Sequence, residues 1–132
     1  MHTSHTDANE PLRVMVVDDH DLFRSGLRRP LDGEPELSVV ADARRGDEAA
    51  ELAEDLRPDV VVMDLNMPGM SGIEATRAIL GKTPDIAVLM LTVSTDDDEV
   101  LDAVLTRASG YLLKDATLRD HAAIRAAAAG SR

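Results

Sequence analysis

Apolar residues along this chain fall into short continuous runs, separated by segments in which they recur at helical spacing. The run "LRVMVV" stops at Asp18 and predicts a first strand, after which Phe23, Leu27, Pro30 and Leu31 predict a helix. "DGEP" then punctuates before "LSVVA", a second strand. In "GDEAAELAEDLRP" the residues Ala49, Leu52, Ala53 and Leu56 share one face, and Pro58 marks the break into a third strand, "VVVMD", Val60 to Asp64. Beyond a Pro and Gly break, Ser71 is placed to cap a helix through Leu80. "IAVLMLT" predicts a fourth strand, and Val100, Leu101, Val104 and Leu105 stripe a fourth helix. "GYLLK" predicts a fifth strand, and an alanine-rich helix follows it.

Most of these strands are apolar throughout instead of alternating, which describes a parallel sheet covered on both faces. The expected fold class is therefore α/β: a doubly wound, five-stranded parallel sheet with five helices in a single domain. Residues 1–10 are expected to form a disordered polar arm, residues 11–129 the domain, and residues 130–132 the start of a linker.

Composition narrows the functions available. A chain of 132 residues, 44% of them hydrophobic, suits one domain with a sizeable core. Its net charge of −11 argues against a nucleic-acid surface on this chain, because such surfaces carry a basic patch. The absence of cysteine offers neither a disulfide framework nor a thiolate metal site and suits a reducing cytoplasm. Apolar runs are strand-sized and "MHTSHTDANEP" lacks the apolar centre of a signal peptide, so no membrane association is expected.

In doubly wound sheets, ligands bind beyond the carboxyl ends of the strands, where strand order reverses. Strand one delivers Asp18 and Asp19 there, strand three Asp64, strand four Thr92 followed by Ser94, and strand five Lys114. Three carboxylates brought together must share protons or hold a hard cation, and Mg²⁺ suits a site built to receive a phosphoryl group. Asp64 can then attack phosphorus, Lys114 can offset the transferred charge, and Thr92 can donate to a phosphoryl oxygen. Each residue alone has a plainer reading. Asp18 and Asp19 could cap the following helix, Thr92 could be an ordinary strand end, and Lys114 a solvated charge. Tyr111 by default is a half-buried packing residue, and His20, which could be taken for a metal ligand or phosphate acceptor, is expected instead to be a structural or surface histidine. Pro68 and Gly69 to Gly72 turn the chain out of the strand, and "TDDDE" from Thr95 is expected to open a helix.

Taken in order, "VVDDH", "MDLNMPGMSG", "LMLTVS" and "GYLLKD" resemble a response-regulator receiver domain, over about Leu12 to Ala129. Asp19 and Asp64 stand 45 residues apart, Asp64 and Thr92 28, and Thr92 and Lys114 22, spacings similar to the family's. "DDHDLFRSGL", "PDVVVMDLNMPGMSGIEATR" and "SGYLLKDA" further resemble the NarL/LuxR-type subfamily, whose receivers precede a helix-turn-helix domain.

The resemblance implies a CheY-like fold and a set of roles. Asp64 would be the phosphoacceptor and Asp19 a direct Mg²⁺ ligand. Asp18 would bind largely through water, and the Asn66 backbone carbonyl would be the third protein ligand. Thr92 and Tyr111 would form the switch pair, Lys114 would pair with the phosphoryl group, and Asn66 and Ser94 would influence its lifetime. The implied partners are a sensor histidine kinase and, on activation, a second copy of the chain. DNA would be reached only through a C-terminal domain absent from this sequence. Such a chain is a signalling domain and not an enzyme. Two other classes compare less well. A haloacid-dehalogenase-like phosphatase resembles a D-x-D pattern, where Asn66 stands here. A phosphorylation-independent interaction module would not need the complete set of five pocket residues. Three departures accompany the resemblance. Pro30, costing about 3 kcal/mol inside a helix, is expected to end or kink the first helix near Arg29. Arg107 replaces a helix-ending glycine, and Leu118 and Ile124 fit one face of the last helix poorly.

Overall fold

The computed structural model describes residues 11–65, 67, 69–92 and 110–113. Strands β1 (Leu12–Val17), β2 (Leu37–Ala43), β3 (Val60–Asp64), β4 (Ala87–Thr92) and β5 (Gly110–Leu113) form one sheet. Helices α1 (Asp21–Asp32), α2 (Gly46–Leu56) and α3 (Gly72–Lys82) connect the first four. Every strand pairing is parallel, and the order across the sheet is β2-β1-β3-β4-β5. This is an α/β parallel-sheet fold. The fourth and fifth helices expected from the sequence, with Arg107, Leu118 and Ile124, lie outside the described residues, as do the N-terminal arm and residues 130–132.

Strand side chains alternate between the two faces, and each face finds a helical cover. Val14, Val16, Val60, Val62, Leu89 and Leu91 pack with Leu27 and Leu31 of α1. Met15, Val17, Val61, Met63, Val88 and Met90 pack on the other side with Ala49 and Ala53 of α2 and with Ala75 and Ile79 of α3. Double burial explains why β1, β3 and β4 read as continuous apolar runs. Edge strand β2 is more exposed, with five of its seven residues half-buried, and its pairing with β1 slips in register between Val14 and Met15.

Helix ends show which local expectations survive packing. The first helix does not end at Arg29 but runs on through Pro30 to Asp32. Pro30 sits in the last turn, where its missing N–H removes a single backbone bond. Leu31 is fully buried, and the turn closes through Gly33 N–H to Pro30 O (3.2 Å) and Glu34 N–H to Leu31 O (3.0 Å). Helix α2 ends at Arg57, in the left-handed region at φ 49°, where its N–H reaches Ala53 O at 2.9 Å. The Arg13 guanidinium of β1 donates to the terminal carbonyls of Leu56 (2.7 Å) and Arg57 (3.0 Å). Among the described residues no other donor reaches those carbonyls, so a strand residue finishes the helix.

Candidate functional site

The chain runs from β1 outward to β2, then crosses back to place β3 on the other side of β1, so strand order reverses between β1 and β3. Asp18 and Asp19 directly follow β1, and Asp64 is the last residue of β3. Neighbouring strands fix both ends. Asp18 N–H donates to Ala43 O of β2 (3.1 Å), and Leu65 N–H donates to Leu91 O of β4 (2.9 Å). Asp18 is fully buried, Asp64 is 1% exposed, and the Asp19 side chain keeps 27% exposure.

Ligand atoms of Asp18, Asp19, His20 and Asp64 all lie within 4.8 Å of one another. Three carboxylates at that separation repel, and a cation among them is the direct way to lower the energy. The donor set fits a hard dication: it is rich in carboxylate oxygen, and Asp19 Oδ1 is buried while accepting no hydrogen bond among the described residues. The group could therefore hold a metal.

Neither aspartate caps α1. Its N-cap is His20, whose side chain makes no capping bond. Instead His20 N–H donates to Asp18 Oδ1 at 2.8 Å, a local turn that aims the carboxylate. The His20 ring is 66% exposed, yet its Nδ1 stands 3.1 Å from Asp18 Oδ1 and 3.3 Å from Asp19 Oδ1. A structural or surface histidine was expected, and nothing in its spacing to neighbours suggested contact with both acids. Arg24, one helical turn on, donates to the Asp18 carbonyl (2.7 Å) and to Asp21 Oδ1 (2.6 Å). That guanidinium bond, with Arg44 nearby, holds the exposed Asp21 carboxyl below its ordinary range. Arg44 and Arg45 with Asp19 and Glu48 line a cleft of about 600 Å³ beside the acids.

The connection from β3 to α3 is built to hold Asp64 in place. Gly69 takes φ 77°, a conformation that glycine adopts freely. Ser71 caps α3 as expected from the sequence: its Oγ accepts from Glu74 N–H (3.2 Å), and Glu74 Oε1 accepts from Ser71 N–H (3.1 Å). Ser71→Ala should lower stability by about 1 kcal/mol, read as a shifted urea midpoint at unchanged slope. An unchanged midpoint would show the box to be ornamental.

Thr92 closes β4 and is 3% exposed. Since Asp64 pairs with Leu91, Thr92 stands one residue further toward the same sheet edge. It pairs in turn with Leu113, and Tyr111 pairs through its backbone with Met90. Asn66, Ser94 and Lys114 lie outside the described residues, as does the "TDDDE" segment.

The family model described as the response regulator receiver domain matches residues 14–125. The chain belongs to this family. Its relatives are response regulators of the NarL/LuxR type. It is 47% identical over 104 residues to the transcriptional regulatory protein DegU of Brevibacillus brevis, an alignment covering 79% of this chain and 44% of that protein. It is 44% identical over 122 residues to the response regulator GacA of Pseudomonas aeruginosa, covering 92% and 57%. The chain thus spans about half the length of the curated relatives it matches. Among solved structures, it resembles the signal receiver domain of the putative response regulator NarL from Mycobacterium tuberculosis, with TM-score 0.82 and 36% identity over 89% of this chain and 97% of that one. A LuxR-family response regulator from Aurantimonas gives TM-score 0.85 and 40% identity, covering 93% and 89%. The receiver fold is therefore CheY-like. Among the described residues no helix is long and apolar enough to cross a membrane.

Proposed function

We propose that this receiver domain accepts a phosphoryl group on Asp64 and relays the change to an output. The supporting observation is the gathering of Asp64 with Asp18 and Asp19 within 4.8 Å at the point where strand order reverses. A phosphohistidine on a sensor histidine kinase is the donor. One Asp64 oxygen bonds to phosphorus and the P–N bond breaks. The donor nitrogen keeps the bonding pair and takes up a proton, leaving an acyl phosphate on Asp64. Burial matters because it excludes water from the acceptor.

Mg²⁺ is the metal in this reading, and when bound it offsets the charge spread over the transferred oxygens. Asp19 and Asp64 would hold it directly, Asp18 largely through water, and the Asn66 carbonyl would complete the protein ligands. Lys114 pairs with the phosphoryl oxygen. Thr92 donates to another once it has arrived, and Tyr111 turns inward behind it, so the two form the switch. Asn66 and Ser94 set how long the acyl phosphate lasts. This is signalling in the cytoplasm and not turnover of a substrate. Leu22, 87% exposed in the first turn of α1 near the acids, offers an apolar foothold for the kinase. Phosphorylation favours a homodimer, and a C-terminal helix-turn-helix domain, beyond this chain, carries DNA binding and transcription regulation.

Incubation with Mg²⁺ and acetyl phosphate, read by intact mass spectrometry, tests the reading. One added phosphoryl group is expected, and none without Mg²⁺. No adduct under either condition would favour an interaction module that works without phosphorylation.

A further inference from the structure

We infer that His20 is a metal ligand that gives the acid pocket a second mode, in which it takes a borderline transition-metal dication of the Zn²⁺ class in preference to Mg²⁺. The inference rests on reading Asp18, Asp19 and Asp64 as a cation site, and it concerns what this chain's own histidine adds there.

Geometry comes first. Cis ligands on an octahedral ion at about 2.1 Å stand roughly 3.0 Å apart, and tetrahedral ligands at about 2.0 Å stand roughly 3.3 Å apart. His20 Nδ1 lies 3.1 Å from Asp18 Oδ1 and 3.3 Å from Asp19 Oδ1, the edges of such a polyhedron. A single ring N–H can point along only one of these lines, so a hydrogen bond to Asp18 accounts for one approach and leaves the other. The backbone supports the placement, since His20 N–H on Asp18 Oδ1 pins the residue beside the acids at 2.8 Å. Helix α1 makes no demand on the ring for capping, and its 66% exposure leaves it free to adjust.

Chemistry then selects the ion. Carboxylate oxygen alone suits Mg²⁺, whereas imidazole beside carboxylates suits Zn²⁺, Co²⁺, Ni²⁺ and Cu²⁺. The chain has no cysteine, and the His20 nitrogen is the softest of the four donors gathered here among the described residues. One imidazole therefore divides the two classes of ion.

Calorimetric titration of the chain with Zn²⁺ and separately with Mg²⁺ tests this, with Co²⁺ absorption as a spectroscopic readout. Loss of partners one shell further out already costs about 10–100-fold in metal affinity, so His20→Ala should weaken Zn²⁺ at least about tenfold. Mg²⁺ affinity should stay within about twofold, and the visible Co²⁺ bands should change. His20→Gln, which keeps length and polarity without imidazole, should behave like His20→Ala, and Asp19→Asn should weaken both ions. Zn²⁺ binding of unchanged affinity in His20→Ala would overturn the inference, since the carboxylates alone or another histidine would then account for it. Tighter Mg²⁺ binding in His20→Ala at unchanged Zn²⁺ affinity would also overturn it, leaving His20 only a tether for the acids. If Mg²⁺ binds and Zn²⁺ does not, this inference alone fails. If neither binds, the cation-site reading falls with it.

Discussion

Asp64→Asn is expected to abolish the phosphoryl adduct completely and, in the absence of divalent metal, to make the protein more stable. Loss of the adduct follows from chemistry, because an amide oxygen is too poor a nucleophile to form the acyl phosphate. The gain in stability follows from electrostatics. Asp64 is 1% exposed and shares a space under 4.8 Å across with the carboxylates of Asp18 and Asp19. At an effective dielectric near 20, each such charge pair repels by roughly 3 kcal/mol, partly offset by hydrogen bonds and nearby cations. A net gain of about 1 kcal/mol or more, roughly 3–5 °C in Tm, is the expectation for a chain of this size. Mg²⁺ should reverse the order. A ligand at a hundred times its Kd adds about 2.7 kcal/mol to the wild type, while the Asn variant, lacking one ligand charge, gains less. Thermal unfolding with and without Mg²⁺ measures both signs. A variant less stable than wild type without metal would remove the repulsion argument, and an adduct on the variant would move the phosphoacceptor elsewhere.

The other large effect is expected at Gly72, where Gly72→Ala should cost about 3 kcal/mol and weaken metal binding together. A methyl group there would overlap the Asp64 carbonyl oxygen and approach Leu65 Cα to 2.9 Å. Both obstacles are backbone, which has no rotamer to yield, so the β3–α3 connection must move and carry Asp64 with it. Gly72 N–H also donates to Leu65 O at 3.1 Å, a bond that depends on the same close approach. Gly69→Ala provides the contrast. Among the described residues no atom lies within 4 Å of the added methyl group, but φ is +77°, so the cost should be about 1 kcal/mol of backbone strain with little effect at the site. Urea midpoints rank the two variants, and Mg²⁺ titration reports the coupling to Asp64. A Gly69 variant as damaging as the Gly72 variant would mean that conformational freedom, and not proximity, is what this loop requires.

Much of this architecture is written in local pattern. Continuous apolar runs are what a strand buried on two faces must be, so β1, β3 and β4 stand out in the sequence within about a residue of their ends. Asp64 was legible as an acid closing such a run, and Ser71 as the cap of the helix after it, because both signals depend only on neighbours in the chain. Other features were invisible for the same reason. The N-cap falls on His20 and not on Asp18 or Asp19, for which capping was the plainer alternative, because the Asp18 carboxylate receives the His20 N–H inside the pocket. The persistence of α1 past Pro30 depends on the burial of Leu31 against the sheet, a tertiary gain that outweighs one lost backbone bond.

The sequence by itself determined the alternation of elements, the parallel sheet and the acids that end β1 and β3, since spacing and apolar content fix which faces must be buried. Only the tertiary structure decided that Arg13 would finish α2, that Gly72 would have to lie against the Asp64 backbone, and that the His20 ring would meet two carboxylates. Each of these is a contact set by strand order or loop packing, and sequence periodicity carries no record of distance between elements.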